Sequence, residues 1–253
     1  MISSALFKKE LRENRWKFWI CFIVLGLTAA AIALLYDFIN NLLRSIDLSP
    51  FIAPSEIDFY FSSYDRYLWS QWTAKNLTQL STLTAIILAA GAIAGEVTNR
   101  TVSFLLSRPL TRLSIYATKS AAGTFYLFCC VIGSTAILIL ISLLKGFTFD
   151  VGGMFVASLL TFSGAVVIYL GSLIFSLLAA DPVKAGLFAA LFWLAASLPG
   201  YFYRTYQLSI FYQMKAVSYW LHGQSPPLPL LVMAAAGALF FSIGAYLWNR
   251  YEL

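Results

Sequence analysis

FWICFIVLGLTAAAIALLY, residues 18–36, is a 19-residue run without a charged side chain, closed by Lys17 on one side and Asp37 on the other. At about 1.5 Å rise per residue, a helix of this length matches the hydrocarbon thickness of a bilayer. Five further stretches are equally bare: Lys75 to Glu96, Lys119 to Lys145, Asp150 to Asp181, Lys184 to Arg204, and Lys215 to Arg250. A soluble protein has no use for six such segments. The pattern predicts an all-α integral membrane protein, one domain over residues 1–253, with spans near 18–36, 77–95, 120–144, 153–180, 185–203 and 228–248.

Composition agrees. The chain is 60% hydrophobic and 11% charged, with a mean hydropathy of +0.78, against roughly 25% charged residues in soluble domains. Its 253 residues hold one helical bundle with short connections and leave no room for a separate soluble catalytic domain. The net charge of +6 would suggest nucleic acid in a soluble chain; here it points to anionic lipid headgroups and to orientation, and nucleic acid is not expected as a partner. Cys21, Cys129 and Cys130 lie in apolar runs without a CxxC pair, so they read as small buried hydrophobes. The N-terminus does not read as a cleaved signal, because its basic stretch is long and the run behind it spans a bilayer.

Loop charges predict the orientation. Lys8, Lys9, Arg12, Arg15 and Lys17 precede the first span; Arg100, Arg108, Arg112 and Lys119 lie around the loop after the second; Lys184 and Arg250 fall on the same side. The opposite loops, 37–75, 145–150 and 204–226, are longer in total but carry only Arg44, Arg66, Lys75, Lys145, Arg204 and Lys215. By the positive-inside rule both termini face the cytoplasm of a plasma-membrane protein. The outer loops are rich in rings, Tyr64 to Trp72 before the second span and Tyr201 to Trp220 after the fifth, which read as an interfacial belt or as a substrate-facing surface.

Within the spans, Pro226, Pro227 and Pro229 interrupt the last bare run, leaving 204–226 as an outer segment with one or two short helices. The fourth run is long enough to tilt, or to bend near Gly164 or Gly171. Gly91 and Gly95 form a GxxxG pair, and Gly164 with Gly171, like Gly237 with Gly244, share a helix face, which predicts close helix packing. No span centre holds the carboxylate, His or Arg that ion-coupled carriers keep at membrane depth, so any transport draws its energy from elsewhere. One histidine, His222, and no close carboxylate cluster speak against a metal centre, and nothing marks a catalytic residue.

Two segments on the basic side carry more information. ISSALFKKELRENRWK reads as an interfacial helix with Phe7, Leu11 and Phe18 on one stripe beside Lys8, Arg12 and Arg15. In GEVTNRTVSFLLSRPLTRLSIYATK, residues Thr98–Arg108 are expected to form roughly three helical turns ended by Pro109. Val102, Leu105 and Leu106 take one face; Arg100, Ser103, Ser107 and Arg108 take the other, with Phe104 among them. A ring on a polar helix face suits docking into a groove of another protein, and it also suits dipping into headgroups.

This arrangement resembles the permease subunits of type-2 ABC exporters, the ABC-2 family. Six spans, a basic amphipathic N-terminal helix, a short helix between spans two and three, and an outer segment between spans five and six are shared. So is Glu96, Thr101, Leu105-Leu106-Ser107, Pro109, Thr111-Arg112 and Lys119, similar to the family's acid…Gly-Thr…Leu-Leu-Ser-x-Pro-x-Ser/Thr-Arg…Lys stretch, with Arg100 where Gly is usual. The resemblance implies a coupling helix whose Glu96, Asn99, Arg100, Thr101, Ser103, Phe104, Ser107 and Arg108 meet a separate ABC ATPase. It further implies two ATPase copies and a second permease, identical or paralogous. The chain has no GxxxxGK[ST] loop, so ATP and Mg2+ are expected on the partner and no cofactor on this chain. Glu96 stands four residues from Arg100, a spacing that allows an ion pair.

The function this implies is the membrane half of an ATP-driven exporter for an amphipathic substrate such as a lipid, peptide antibiotic or drug. A membrane-embedded lipid-modifying enzyme is the alternative from another class, with Glu96 and Arg100, or His222 and Tyr219, as its faint polar clusters. A third is a non-transporting immunity or scaffold protein.

Overall fold

The computed structural model describes residues 3–45, 61–101, 110–202, 204–223 and 226–250, and among these every regular element is helical. Six helices are long and apolar enough to cross a membrane. In chain order the elements are α1 (Ser4–Ser45), α2 (Tyr64–Leu68), a wide π-helical segment (Trp69–Leu77), α3 (Thr78–Ala90), α4 (Ala94–Thr98) and α5 (Arg112–Leu144). They continue with α6 (Val151–Leu178), α7 (Pro182–Ser197), the short α8 (Ile210–Met214) and α9 (Val217–His222), and α10 (Pro227–Asn249).

Helix ends follow local chemistry. Asp150 and Asp181, expected at span ends, are N-caps: Asp150 accepts from the Gly153 N–H, and Asp181 accepts from Val183 and Lys184 ahead of Pro182. Thr111 caps α5 by accepting from the Ser114 N–H. The prolines break the last run as expected, and α10 opens on them, with Pro227 in its first turn.

The N-terminal stretch is helical as expected, but it runs into the first span without interruption. No Gly or Pro occurs between Ser4 and Leu25, so nothing stops the helix. At 42 residues α1 is roughly 63 Å long, twice the hydrocarbon thickness. Its Phe7–Leu11 side packs on α5, where the Phe7 and Phe125 rings meet edge to face at 6.1 Å and the Tyr126 hydroxyl donates to the Leu11 carbonyl. Lys8, Arg12 and Arg15 stay exposed.

The second span is helical from Tyr64, earlier than its hydropathy suggests, and is broken at Gly91–Ile93. Its leading rings are interior rather than a belt. Tyr67 is buried and donates to the Ile32 carbonyl (3.0 Å), Trp72 is buried and donates to Thr135 Oγ1 (3.2 Å), and Trp69 donates to the Lys215 carbonyl (2.8 Å). Each polar tip finds a partner, which is what lets the rings enter the bundle. Tyr201 and Phe202, after α7, are exposed.

α6 is the central helix and is unbroken, since its glycines serve close approach: a Cβ at Gly164 would strike Met214, and one at Gly171 would strike Trp193. Gly244 likewise admits Tyr116. Gly91 and Gly95 do not form the expected packing face. Gly95 has nothing within 4 Å of a built Cβ, and Gly91 lies against the Lys17 ammonium. Outward, α1, α7 and α10 present large apolar side chains such as Ile20, Leu27, Leu191, Leu194, Leu231 and Leu239, the inside-out surface of a protein solvated by lipid. Cys21 and Cys130 are buried and Cys129 half-buried, all with free thiols.

Candidate functional site

The end of the bundle that holds both described termini carries a buried charged cluster. Lys119, in the third turn of α5, places its Nζ 2.6 Å from Glu10 Oε1 of α1 and 3.2 Å from Glu96 Oε1 of α4. Lys9 Nζ adds a second ammonium 3.0 Å from Glu96 Oε1 and lies 3.5 Å from Glu13. The Lys119 and Glu10 side chains are 2% and 4% exposed, so this is an interior ion pair rather than a surface one. Thr101 donates its hydroxyl to the other Glu96 oxygen, and the Tyr169 hydroxyl of α6 donates to the Lys119 carbonyl (3.0 Å). Glu10, Glu13 and Glu96 bring carboxylate oxygens within 4.8 Å of one another, and the two lysines supply the compensating charge.

Backbone geometry delivers Glu96 to this cluster. At the Gly91 break, Ser176 Oγ of α6 accepts from the Ile93 and Ala94 N–H groups (3.1 and 3.0 Å) and donates to the Ala90 carbonyl (3.0 Å). One hydroxyl thus satisfies three backbone groups that a helix end would leave unpaired. The single turn α4 follows, and it stops at Thr98. The Thr101 N–H bonds the Glu96 carbonyl (2.9 Å), the Arg100 N–H bonds the Val97 carbonyl (3.0 Å), and Arg100 takes φ 55°. This is a Schellman C-cap with Arg100 at the left-handed position that favours glycine.

Two expectations are corrected here. Thr98–Arg100 end one helix instead of beginning a three-turn one, because the left-handed residue closes α4. Glu96 does not pair with Arg100, since Lys119, Lys9 and Thr101 take its carboxylate while Arg100 is exposed. Of the expected coupling residues, Glu96 and Thr101 meet in the cluster, and Asn99 and Arg100 are exposed beside it. Ser103, Phe104, Ser107 and Arg108 lie outside the described residues. Sequence reasoning missed Glu10, Lys9 and Ser176 as members. The available signal for Glu10 was its place among Leu6, Phe7 and Leu11, a carboxylate set within the apolar stripe of a helix.

A polytopic helical bundle with a buried ionic clamp at one end, beside a short loop between its second and third spans, defines a membrane component of a transporter. The chain belongs to the family described as ABC-2 family transporter protein, which matches residues 4–203. The match takes in α1 through α7 and ends before the 204–226 segment and α10. No curated protein matches the chain.

Proposed function

We propose that the chain is the membrane-spanning permease subunit of an ATP-driven exporter, working with two copies of a separate ABC ATPase and with a second permease, identical or paralogous. Both termini and the ionic clamp face the cytoplasm, where the basic residues concentrate. The observation that carries this reading is the clamp itself. Glu96 with Thr101 holds the loop where it leaves the second span, and Lys119 stands two turns beyond Thr111, where the loop enters α5. The residues that flank 102–109 are therefore tied to α1, α4 and α5, so a push from an ATPase on that stretch would reach three elements at once. Glu96 is neutralised by two ammoniums, which disfavours the lipid-modifying enzyme that would need it as a free acid or base. An amphipathic cargo fits an outer surface of aliphatic and aromatic side chains without charge at span centres.

Phe104→Ala tests it. If Phe104 is the ring that enters an ATPase groove, its truncation removes about 2–4 kcal/mol of interface energy, as for buried aromatic anchors. The variant is expected to insert and fold, to lose co-purification with the ATPase and to abolish transport. Arg108→Ala is expected to reduce binding less and in a salt-dependent way. Undiminished transport by Phe104→Ala would sink the assignment.

A further inference from the structure

We infer that the cavity between the start of the second span and the 204–223 segment, at the end of the bundle opposite the ionic clamp, binds the negatively charged headgroup of an anionic amphiphile. The cavity encloses about 680 Å³, within the roughly 300–1,000 Å³ range of small-molecule sites. Lys75 and Lys215 both line it. Both are exposed, and among the described residues neither ammonium has a hydrogen bond or ion pair with protein. Two ammoniums on one cavity give it a positive charge that an anionic headgroup would offset.

A third polar group is already desolvated. Ser209 lines the same cavity, is 2% exposed, and its Oγ has no hydrogen-bond partner. A buried hydroxyl left unpaired is destabilising, a deficit that a headgroup oxygen would remove. The tail has a path as well. Lys75, Gln79 and Leu83 line the cavity at successive four-residue steps, and Leu83 is 54% exposed on the outward face of α3. The cavity thus opens sideways where lipid chains lie, with Tyr212 and Phe211 on its other wall.

The backbone around the lysines is held in unusual shapes. Lys75 sits in the π-helical segment Trp69–Leu77, a rare geometry that is frequent at functional sites. Ala216, next to Lys215, is buried with φ 52°, a left-handed conformation that is strained for a residue with a Cβ. It is maintained because Thr161 Oγ1 donates to the Met214 carbonyl (2.8 Å) and Trp69 Nε1 to the Lys215 carbonyl (2.8 Å). These two bonds hold the backbone on either side of Lys215, which lines the cavity together with Lys75.

The shared chemistry is a phosphate or carboxylate joined to an apolar tail, whether membrane lipid or transported cargo. The proposal concerns equilibrium binding to the chain without ATP, so its failure leaves the exporter reading untouched, and a failed ATPase interaction leaves this site untouched. The test titrates the purified full chain in a neutral detergent with dioctanoyl phosphatidylglycerol, dioctanoyl phosphatidylcholine and inorganic phosphate, following binding by thermophoresis. Phosphatidylglycerol is expected to bind at least about tenfold more tightly than either of the others. Lys75→Gln and Lys215→Gln should each weaken it about tenfold, the size expected for one charge-assisted hydrogen bond. Lys75→Arg should restore it, and Lys184→Gln, at the opposite end, should leave it unchanged. Equal affinity for the two lipids, or no loss in either Lys→Gln variant, overturns the site. Inorganic phosphate binding as tightly as phosphatidylglycerol overturns the amphiphile. Should a lysine variant fail to fold, Ser209→Ala decides, since it loses no protein partner: a fall of several-fold supports the site and an unchanged affinity refutes it.

Discussion

Lys119 is the charge whose removal should cost most. Its Nζ is 2.6 Å from Glu10 and 3.2 Å from Glu96, and its side chain is 2% exposed. Lys119→Met keeps the aliphatic stem and deletes the ammonium. Glu96 would keep Lys9 and Thr101, but Glu10, 4% exposed, would lose its only ion-pair partner among the described residues. An interior pair broken from one side costs about 3–5 kcal/mol, because the remaining charge is buried without compensation. Glu10→Gln should cost about 1–2 kcal/mol, since Lys119 retains Glu96. In the double variant a neutral Met faces a neutral Gln and no uncompensated carboxylate remains at position 10. Its cost should fall below the sum of the single costs by about 2 kcal/mol or more. Unfolding of the purified chain in mixed micelles with rising dodecyl sulfate, followed by tryptophan fluorescence, gives all three values. Additivity within about 0.5 kcal/mol would refute the buried-pair argument. Lys119→Met should also loosen residues 4–17 from α5 and speed tryptic cleavage at Lys8 and Arg12, which are exposed on that segment.

Ser176→Ala should leave the Ile93 and Ala94 N–H groups and the Ala90 carbonyl short of a partner at the Gly91 break and destabilise the chain by about 1–3 kcal/mol in the same assay; an unchanged midpoint would mean that water replaces the hydroxyl there. Arg100→Gly should stabilise by up to about 1 kcal/mol, because φ 55° costs a residue with a Cβ and costs glycine nothing steric; destabilisation would show that the arginine side chain makes a contact that outweighs this strain. For orientation, single cysteines at Ser55 and Gln224, in a background lacking Cys21, Cys129 and Cys130, should react with an impermeant thiol reagent on intact cells, whereas one at Ser4 should not; the reverse pattern would invert the topology.

Hydropathy located all six spans because each uncharged run is long and the lipid tolerates few alternatives. It located their ends poorly. Arg112–Lys119 read as loop, yet they form the first turns of α5, since a helix continues past the hydrocarbon as long as its backbone has no reason to stop. Asp65, Arg66 and Lys75 likewise hid the early start of the second span, where buried Tyr67 and Trp72 outweigh the charges on the other faces. The loop motif contains both Glu96 and Thr101 but suggested Arg100 as the partner of Glu96, where the structure has Thr101. It could not point to Glu10 or Ser176, because their partners are 109 and 83 residues away and no spacing rule reaches across the fold. Arg100 read as a helical residue and as a partner for Glu96, whereas φ 55° makes it the left-handed residue that ends α4.

The clamp contributes more to specificity than to net stability. Moving Glu10 and Lys119 out of water costs several kcal/mol per ion, and an apolar pair of the same volume would hold α1 to α5 at least as firmly. An apolar pair, however, would tolerate α1 sliding by a residue or a turn along α5, because one aliphatic contact resembles the next. Ion pairs with Nζ–O distances of 2.6 and 3.2 Å do not. A slip of one turn, about 5.4 Å, would part Glu10 from Lys119 and Lys9 from Glu96 and leave the Glu10 carboxylate buried without a partner, a penalty of about 3–5 kcal/mol. The N-terminal segment of α1 can therefore follow α4 and α5 only as one body. The adjoining break at Gly91, with its backbone groups gathered on a single serine, is where that body joins the rest of the second span.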